Sequence, residues 1–420
     1  MVLLSSSHVT YFLSMLYGAS KIITLHQGVI NDGCVRVVDK RIVDVGAWRL
    51  LKDKYPNDHE LFFENTALLP GLINAHTHLE YGPLRDVIDY SSSFSIWLSD
   101  FLHKRQEISF DEEINAVHLG VLECLNSGTT TVLDSSYSGA SFKILFNERL
   151  RSIIFLEFSL AGGKDPATIF ADTLAKASGF LANELSNWGI CPHAPYSVPE
   201  ELFRQCLAYA AEQNVFVLSH VAESKEEHDL FLYGTGGLNA ALSRHGMGLS
   251  CPIGESPVSY LFSRSLVPRK MIVAHANFVS DQEIARMARQ EVSVVICPRS
   301  WQRFNHGPFP LEKFRASGIN VCVGTDSLAT VDSLNLFDEL FCLKSLAPAL
   351  SGEEILCLAI QGGARAIGLN GVLGQVRQGF LADLIGVRLH ECSSGDVVEE
   401  ILTEDRDVVF VLVNGKEVLV

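Results

Sequence analysis

Two histidines one residue apart, His76 and His78, open the chemistry of this chain. Side chains two positions apart on a strand point to the same face, so both imidazoles can reach one point. His220, His275 and Asp326 stand at the ends of separate apolar runs. His76, His78, His220 and Asp326 make a nitrogen-rich set with one carboxylate. Such a set suits one divalent transition metal, Zn²⁺ or Fe²⁺, and suits Mg²⁺ or Ca²⁺ poorly. A metal held this way draws the pKa of a bound water toward neutrality. A lone histidine at a strand end is usually a packed core residue, but this combination at separate strand ends rarely arises by accident. Glu223 follows three residues after His220, in Ser219-His220-Val221-Ala222-Glu223. Beside a metal ligand, a carboxyl with a raised pKa can carry a proton from attacking water to a ring nitrogen or a leaving group. The plainer alternative is a solvated loop carboxylate, which is the reading for the nearby Glu226 and Glu227. His275 either ligates the metal or hydrogen-bonds the attacking water. Asp326 touches the metal, receives the water proton, or does both, and the spacing leaves that division open.

Positioning these groups requires a scaffold that brings distant strand ends together. Short, β-branched apolar runs recur at 67–76, 129–134, 152–158, 188–193, 214–220, 270–275, 292–298 and 319–326, each followed by a stretch with helical spacing. Strands alternating with helices imply a parallel sheet, and eight such units is the number at which the sheet closes. The expected fold is therefore an α/β (β/α)8 TIM-type barrel, whose C-terminal rim collects reactive groups. An open doubly wound sheet is the competitor, yet no G-x-G-x-x-G follows an early strand, and the glycines at 234–237 read as a loop. Both flanks read as β-hairpins. Residues 22–47 hold strand runs punctuated by Asn31-Asp32-Gly33, and 408–420 reads strand, Asn414-Gly415, strand. Neither end could bury a hydrophobic face alone, so the two are expected to form one small β-sandwich with the barrel inserted between them. The expected division is 1–66 and 374–420 for the sandwich and 67–373 for the barrel.

Composition removes several classes of function. With 47% hydrophobic and 20% charged residues, the 420-residue chain can bury a sizeable core. The formal charge of -16 repels phosphate backbones and anionic lipid, so neither nucleic acid nor membrane is an expected partner, while a homo-oligomer stays open. The ten cysteines include no C-x-x-C pair, which argues against a zinc ribbon or disulfide framework and for a reducing cytoplasm. No run reaches the ~18 apolar residues of a membrane span. Residues 1–20 lack the basic start of an export signal. His78-Leu79-Glu80 supplies the H-x-E half of another zinc deaminase signature, but its P-C-x-x-C half is absent. H-E-x-x-H and G-x-S-x-G are absent as well.

Together, Pro70-Gly71-Leu72-Ile73-Asn74-Ala75-His76-Thr77-His78, His220-Val221-Ala222-Glu223, His275 and Gly324-Thr325-Asp326 resemble the amidohydrolase superfamily, in its cytosine/adenosine-type deaminase and chlorohydrolase branch. Gly379-Phe380-Leu381-Ala382-Asp383-Leu384-Ile385 and Val413-Asn414-Gly415 are similar to that branch's closing segment. The resemblance implies His76, His78, His220 and Asp326 as ligands, and Glu223, His275 and Asp326 as proton-handling groups. Two-metal members carry a bridging lysine at the end of the fourth strand, where this chain reads Trp188-Gly189-Ile190-Cys191-Pro192-His193, so a single metal is implied.

The resemblance also implies a small-molecule adenosine-type nucleoside as substrate, with His193 and Thr330 at the purine and Trp97 packing against the nucleoside. The homocysteine-handling members have an arginine at the end of the third strand, where this chain has Leu156-Glu157-Phe158. Arg299 and Arg303 are the alternative cations for a carboxylate on a longer 5′ arm. The expected substrate is then 6-amino-6-deoxyfutalosine, an intermediate of menaquinone synthesis. Alternatives are methylthioadenosine/S-adenosylhomocysteine deaminase, guanine deaminase or chlorohydrolase activity and, outside enzymes, a metal-free barrel scaffold.

Overall fold

The computed structural model describes residues 14–418 except 89–92, 161–163, 248–251, 308, 391–394 and 404–405. Most of the segment read for an export signal lies outside the described residues. The chain enters through β1 (Ser14–Ile23), β2 (Val29–Val38), β3 (Arg41–Ala47) and β4 (His59–Pro70). It then runs through β5 (Leu72–His78), β6 (Thr129–Ser136), β7 (Arg151–Phe158), β8 (Ser186–Pro192), β9 (Phe216–Val221), β10 (Ile272–His275), β11 (Ser293–Ile296), β12 (Asn320–Val323) and β13 (Asp326–Ser327). It leaves through β14 (Leu384–Arg388), β15 (Val408–Val413) and β16 (Lys416–Val418).

Strands β5 to β12 pair in sequence order, and β13 returns to lie parallel to β5, with Asp326 opposite Thr77 and Ser327 opposite His78. β12 and β13 are one eighth strand broken at Gly324-Thr325, so this pairing closes the barrel. The break has a local cause. A Cβ on Gly324 would sit 2.7 Å from both the backbone nitrogen and oxygen of His76, so only glycine lets the eighth strand pass this close to the first. Side-chain alternation then fills the barrel. Phe155 and Leu218 lie in its apolar interior, and two residues further along the same faces Glu157 and His220 line its mouth. The long helices carry their own start signals: Ser109 with Glu112, and Ser280 with Glu283, form complete capping boxes.

Both chain ends build the second layer, a seven-stranded sheet in the order β16-β15-β14-β4-β1-β2-β3. In a flat sheet β15 and β1 would stand about 14 Å apart at the usual strand spacing. The rings of Tyr17 and Phe410 nevertheless meet at 5.2 Å, so the sheet folds over on its own apolar core. Asn414-Gly415 forms the expected turn, with both residues at positive φ. Asn31-Asp32-Gly33 does not: it lies inside β2, and the chain reverses at 24–28 instead, where Leu25 and Gly28 take positive φ. Cross-strand pairing of Ile22 with Ile30 and Ile23 with Val29 outweighed the turn propensity. A buried bidentate pair, Arg151 Nε to Asp383 Oδ2 at 2.9 Å and Nη2 to Oδ1 at 3.1 Å, ties the sheet to the barrel wall. No helix among the described residues is long and apolar enough to cross a membrane, and their eight cysteines are unpaired.

Candidate metal centre and its pocket

The strand ends converge as a cluster of side chains that solvent barely reaches. His220 Nε2 lies 3.1 Å from His76 Nε2 and 3.3 Å from His78 Nε2, while His76 Nε2 is 3.8 Å from Asp326 Oδ1. Two nitrogens each about 2.05 Å from a tetrahedral ion would stand about 3.3 Å apart, so the imidazole spacing is that of a shared ion. The tautomer agrees. His220 Nδ1 faces the backbone oxygen of His193 at 2.9 Å; a carbonyl only accepts, so Nδ1 carries the proton and Nε2 turns a bare lone pair to the centre. Burial holds His76 and His78 well below the usual imidazole range, reinforced by the neighbouring histidines, and burial takes His220 down to about 4. Neutral imidazoles are the form that ligates. His76, His220 and His275 also come within 4.8 Å of one another, as do Glu223, His275 and Asp326. The donor set fits one divalent transition metal, which His76, His78, His220 and Asp326 could hold.

The groups around the ligands are held by strained backbone. Ala222, His275, Ala276 and Asp326 all take positive φ, between 50° and 73°, at the ends of three strands. Hydrogen bonds keep them there: Ala276 N to Val221 O at 3.0 Å, Phe278 N to Ala222 O at 3.1 Å, and Asn277 Nδ2 to Glu223 O at 2.9 Å. Glu227 is not the solvated carboxylate its sequence context implies. It is fully buried and accepts from the backbone N–H groups of Ala222 and Glu223, at 3.1 and 2.8 Å. Glu223 stands with Oε1 3.8 Å from His275 Nε2. Burial, then the charges of Asp326 and Glu227, pushes its carboxyl well above the ordinary range. Asp326 rises to about 6 through burial, opposed by hydrogen bonds from the Ser300 hydroxyl and the Ser327 backbone N–H.

A pocket opens beside this cluster, with His78, His220, Glu223, His275 and Asp326 in its wall. Trp97 and His193 line it too. Trp97 stacks on Phe101 at 5.4 Å and donates Nε1–H to Ala329 O, while His193 Nδ1 shares a 2.6 Å hydrogen bond with Ser197 Oγ. Thr330 stands behind Asp326 and donates to Ser327 O at 2.9 Å. Arg299 and Arg303 are placed elsewhere. Both pair with Asp332, Arg299 also donates to Ser333 Oγ at 3.1 Å, and neither lines the pocket. Four residues of the site are given no role by a reading of strand ends and motifs. Ser300 donates to Asp326 Oδ2 at 2.9 Å, and Tyr196, Glu157 and Arg105 face the pocket. Ser300 was within reach, lying in the Cys297-Pro298-Arg299-Ser300 segment that follows a barrel strand; Arg105 sits at the end of the helix Phe94–Arg105 and gives no such signal.

A closed (β/α)8 barrel with this cluster at its C-terminal rim defines a metal-dependent barrel hydrolase. Residues 67–418 match the Amidohydrolase family, and the chain belongs to it. It is 26% identical over 387 residues to a 5-methylthioadenosine/S-adenosylhomocysteine deaminase of Pyrococcus furiosus, covering 89% of this chain and 85% of that protein. It is 27% identical over 375 residues to a 5′-deoxyadenosine deaminase of Methanothermobacter thermautotrophicus, covering 86% and 82%. The fold superposes on Helicobacter pylori aminofutalosine deaminase in complex with methylthio-coformycin, with a TM-score of 0.86, 25% identity and coverage of 96% and 100%.

Proposed function

We propose that this chain is a hydrolytic deaminase of a 5′-substituted adenosine-type nucleoside, exchanging the ring amino group for oxygen and releasing ammonia. The observation that carries the reading is the placement of Glu223 and His275 against the His76, His78, His220 and Asp326 cluster, every member of which except the fully buried His76 lines one pocket. Zn²⁺ or Fe²⁺ at the cluster supplies Lewis acidity toward water and the ring. The protein's own groups do the rest. Burial favours the protonated form of Glu223, which donates to the purine ring nitrogen next to the reacting carbon and then relays a proton from the attacking water to the leaving amine. His275 hydrogen-bonds the attacking oxygen, and Asp326 takes the first water proton. His193 meets the purine, and Trp97 with Phe101 packs against the nucleoside.

The finer reading is 6-amino-6-deoxyfutalosine as substrate, supported by the likeness to the Helicobacter pylori enzyme. A methylthioadenosine/S-adenosylhomocysteine substrate has equal support from the Pyrococcus relative. A panel of 6-amino-6-deoxyfutalosine, methylthioadenosine, S-adenosylhomocysteine, 5′-deoxyadenosine, adenosine and guanine, followed by ammonia release, separates them. The expected result is turnover of the 5′-substituted adenosines with at least ~10-fold higher kcat/KM than adenosine, the scale of one added pocket contact. Preference for guanine, or no ammonia from any compound, would remove the reading.

A further inference from the structure

Among the described residues Arg105 is the one guanidinium that lines the pocket, and carboxylates such as Glu157 answer its charge only at longer range than an ion pair. Among the described residues no carboxylate comes within 4.0 Å of it, unlike Arg299 and Arg303, which share Asp332. Its flat face is satisfied: the guanidinium carbon lies 3.9 Å from the ring centre of Tyr137 and 5.4 Å from that of Phe101. Its edge is not. A guanidinium has five N–H donors, and among the described residues the one hydrogen bond it makes is long, 3.5 Å, from Nη1 to Tyr81 Oη. Glu157 shares the pocket wall with it, but that carboxylate turns to His78, with Oε2 3.6 Å from Nδ1. A half-buried cation in the pocket wall with unspent donors turns them to whatever fills the pocket, and an anion is the partner that uses them best. The surrounding molecule sharpens the point. A chain of formal charge -16 repels anions, so an anionic substrate needs a cation of this kind inside the pocket.

We infer that Arg105 is the specificity residue for the 5′ arm and that it takes a carboxylate there in bidentate fashion. The inference rests on the nucleoside reading above and narrows its substrate class to adenosines with an acidic 5′ arm. Two arms carry that chemistry, the amino-acid carboxylate of S-adenosylhomocysteine and the carboxyaryl group of 6-amino-6-deoxyfutalosine. The assignment places the anion site on the helix Phe94–Arg105 rather than on the helix Pro298–Phe304, on the other side of His220 in sequence.

The test is calorimetric binding to the metal-loaded protein of each acid and of its neutral carboxamide, in the wild type and in Arg105→Gln and Arg105→Lys. At least one acid should bind ~10- to 150-fold tighter than its amide, the range of a charge-assisted contact. Arg105→Gln should erase that ratio and Arg105→Lys restore part of it, with metal content unchanged. Whichever acid shows the ratio identifies the arm. Equal binding of acid and amide in the wild type overturns the inference without needing any variant to fold, as does failure of both acids to bind. Ammonia release, read separately, reports on the deaminase reading, so the two can fail independently.

Discussion

Replacing His76 with alanine is expected to abolish metal binding and turnover together. His76 Nε2 is the centre of the cluster, 3.1 Å from His220 Nε2 and 3.8 Å from Asp326 Oδ1, and its side chain has no exposure to solvent. Removing it opens the coordination shell and leaves a buried gap where a neutral donor stood. Even partners that only orient a ligand cost 10- to 100-fold in metal affinity when lost, so loss of a ligand should cost more than about 100-fold. Metal analysis after gel filtration should fall from near one equivalent to less than about a tenth of one, since occupancy follows affinity. Ammonia release should fall to background, with circular dichroism showing the barrel intact. Full metal retention would remove His76 from the ligand set.

Glu223→Gln separates proton transfer from metal binding. The amide keeps the shape and can still face His275, but it cannot exchange a proton. Metal content should therefore stay near one equivalent while kcat falls by roughly 10²- to 10⁴-fold, the usual contribution of a positioned acid/base. KM should change little, because the substitution removes an interaction made in the transition state. A variant with most of its activity would make Glu223 a structural member of the loop that Glu227 pins.

Much of this centre was legible in the sequence because its information is local. The two-residue period of a strand puts His76 and His78 on one face, and strands alternating with helices place His220, His275 and Asp326 at one rim. The parts that were not legible depend on contacts between distant segments. Arg299 and Arg303 sit four apart on one helix and look like a cradle for an anion. Asp332, some thirty residues on, is already there, paired with both. Arg105 looks like an ordinary basic residue ending a helix, after His103 and Lys104, and only the tertiary structure turns it over Tyr137. Glu227 shows the same limit: a charged residue in a charged run becomes a buried backbone acceptor because the turn at Ala222 leaves two N–H groups pointing at it. Asn31-Asp32-Gly33 failed in the opposite direction, as a strong local turn signal overruled by strand pairing.

A single-metal deaminase centre is tested most directly by ammonia release during metal titration. Metal-free protein, supplied with increasing Zn²⁺ or Fe²⁺ and a saturating 5′-substituted adenosine, should gain activity in proportion to metal and level off at about one equivalent, because one set of ligands converges at the barrel mouth. Activity that keeps rising to two equivalents, or a metal-loaded protein that releases no ammonia from any adenosine nucleoside, would contradict it.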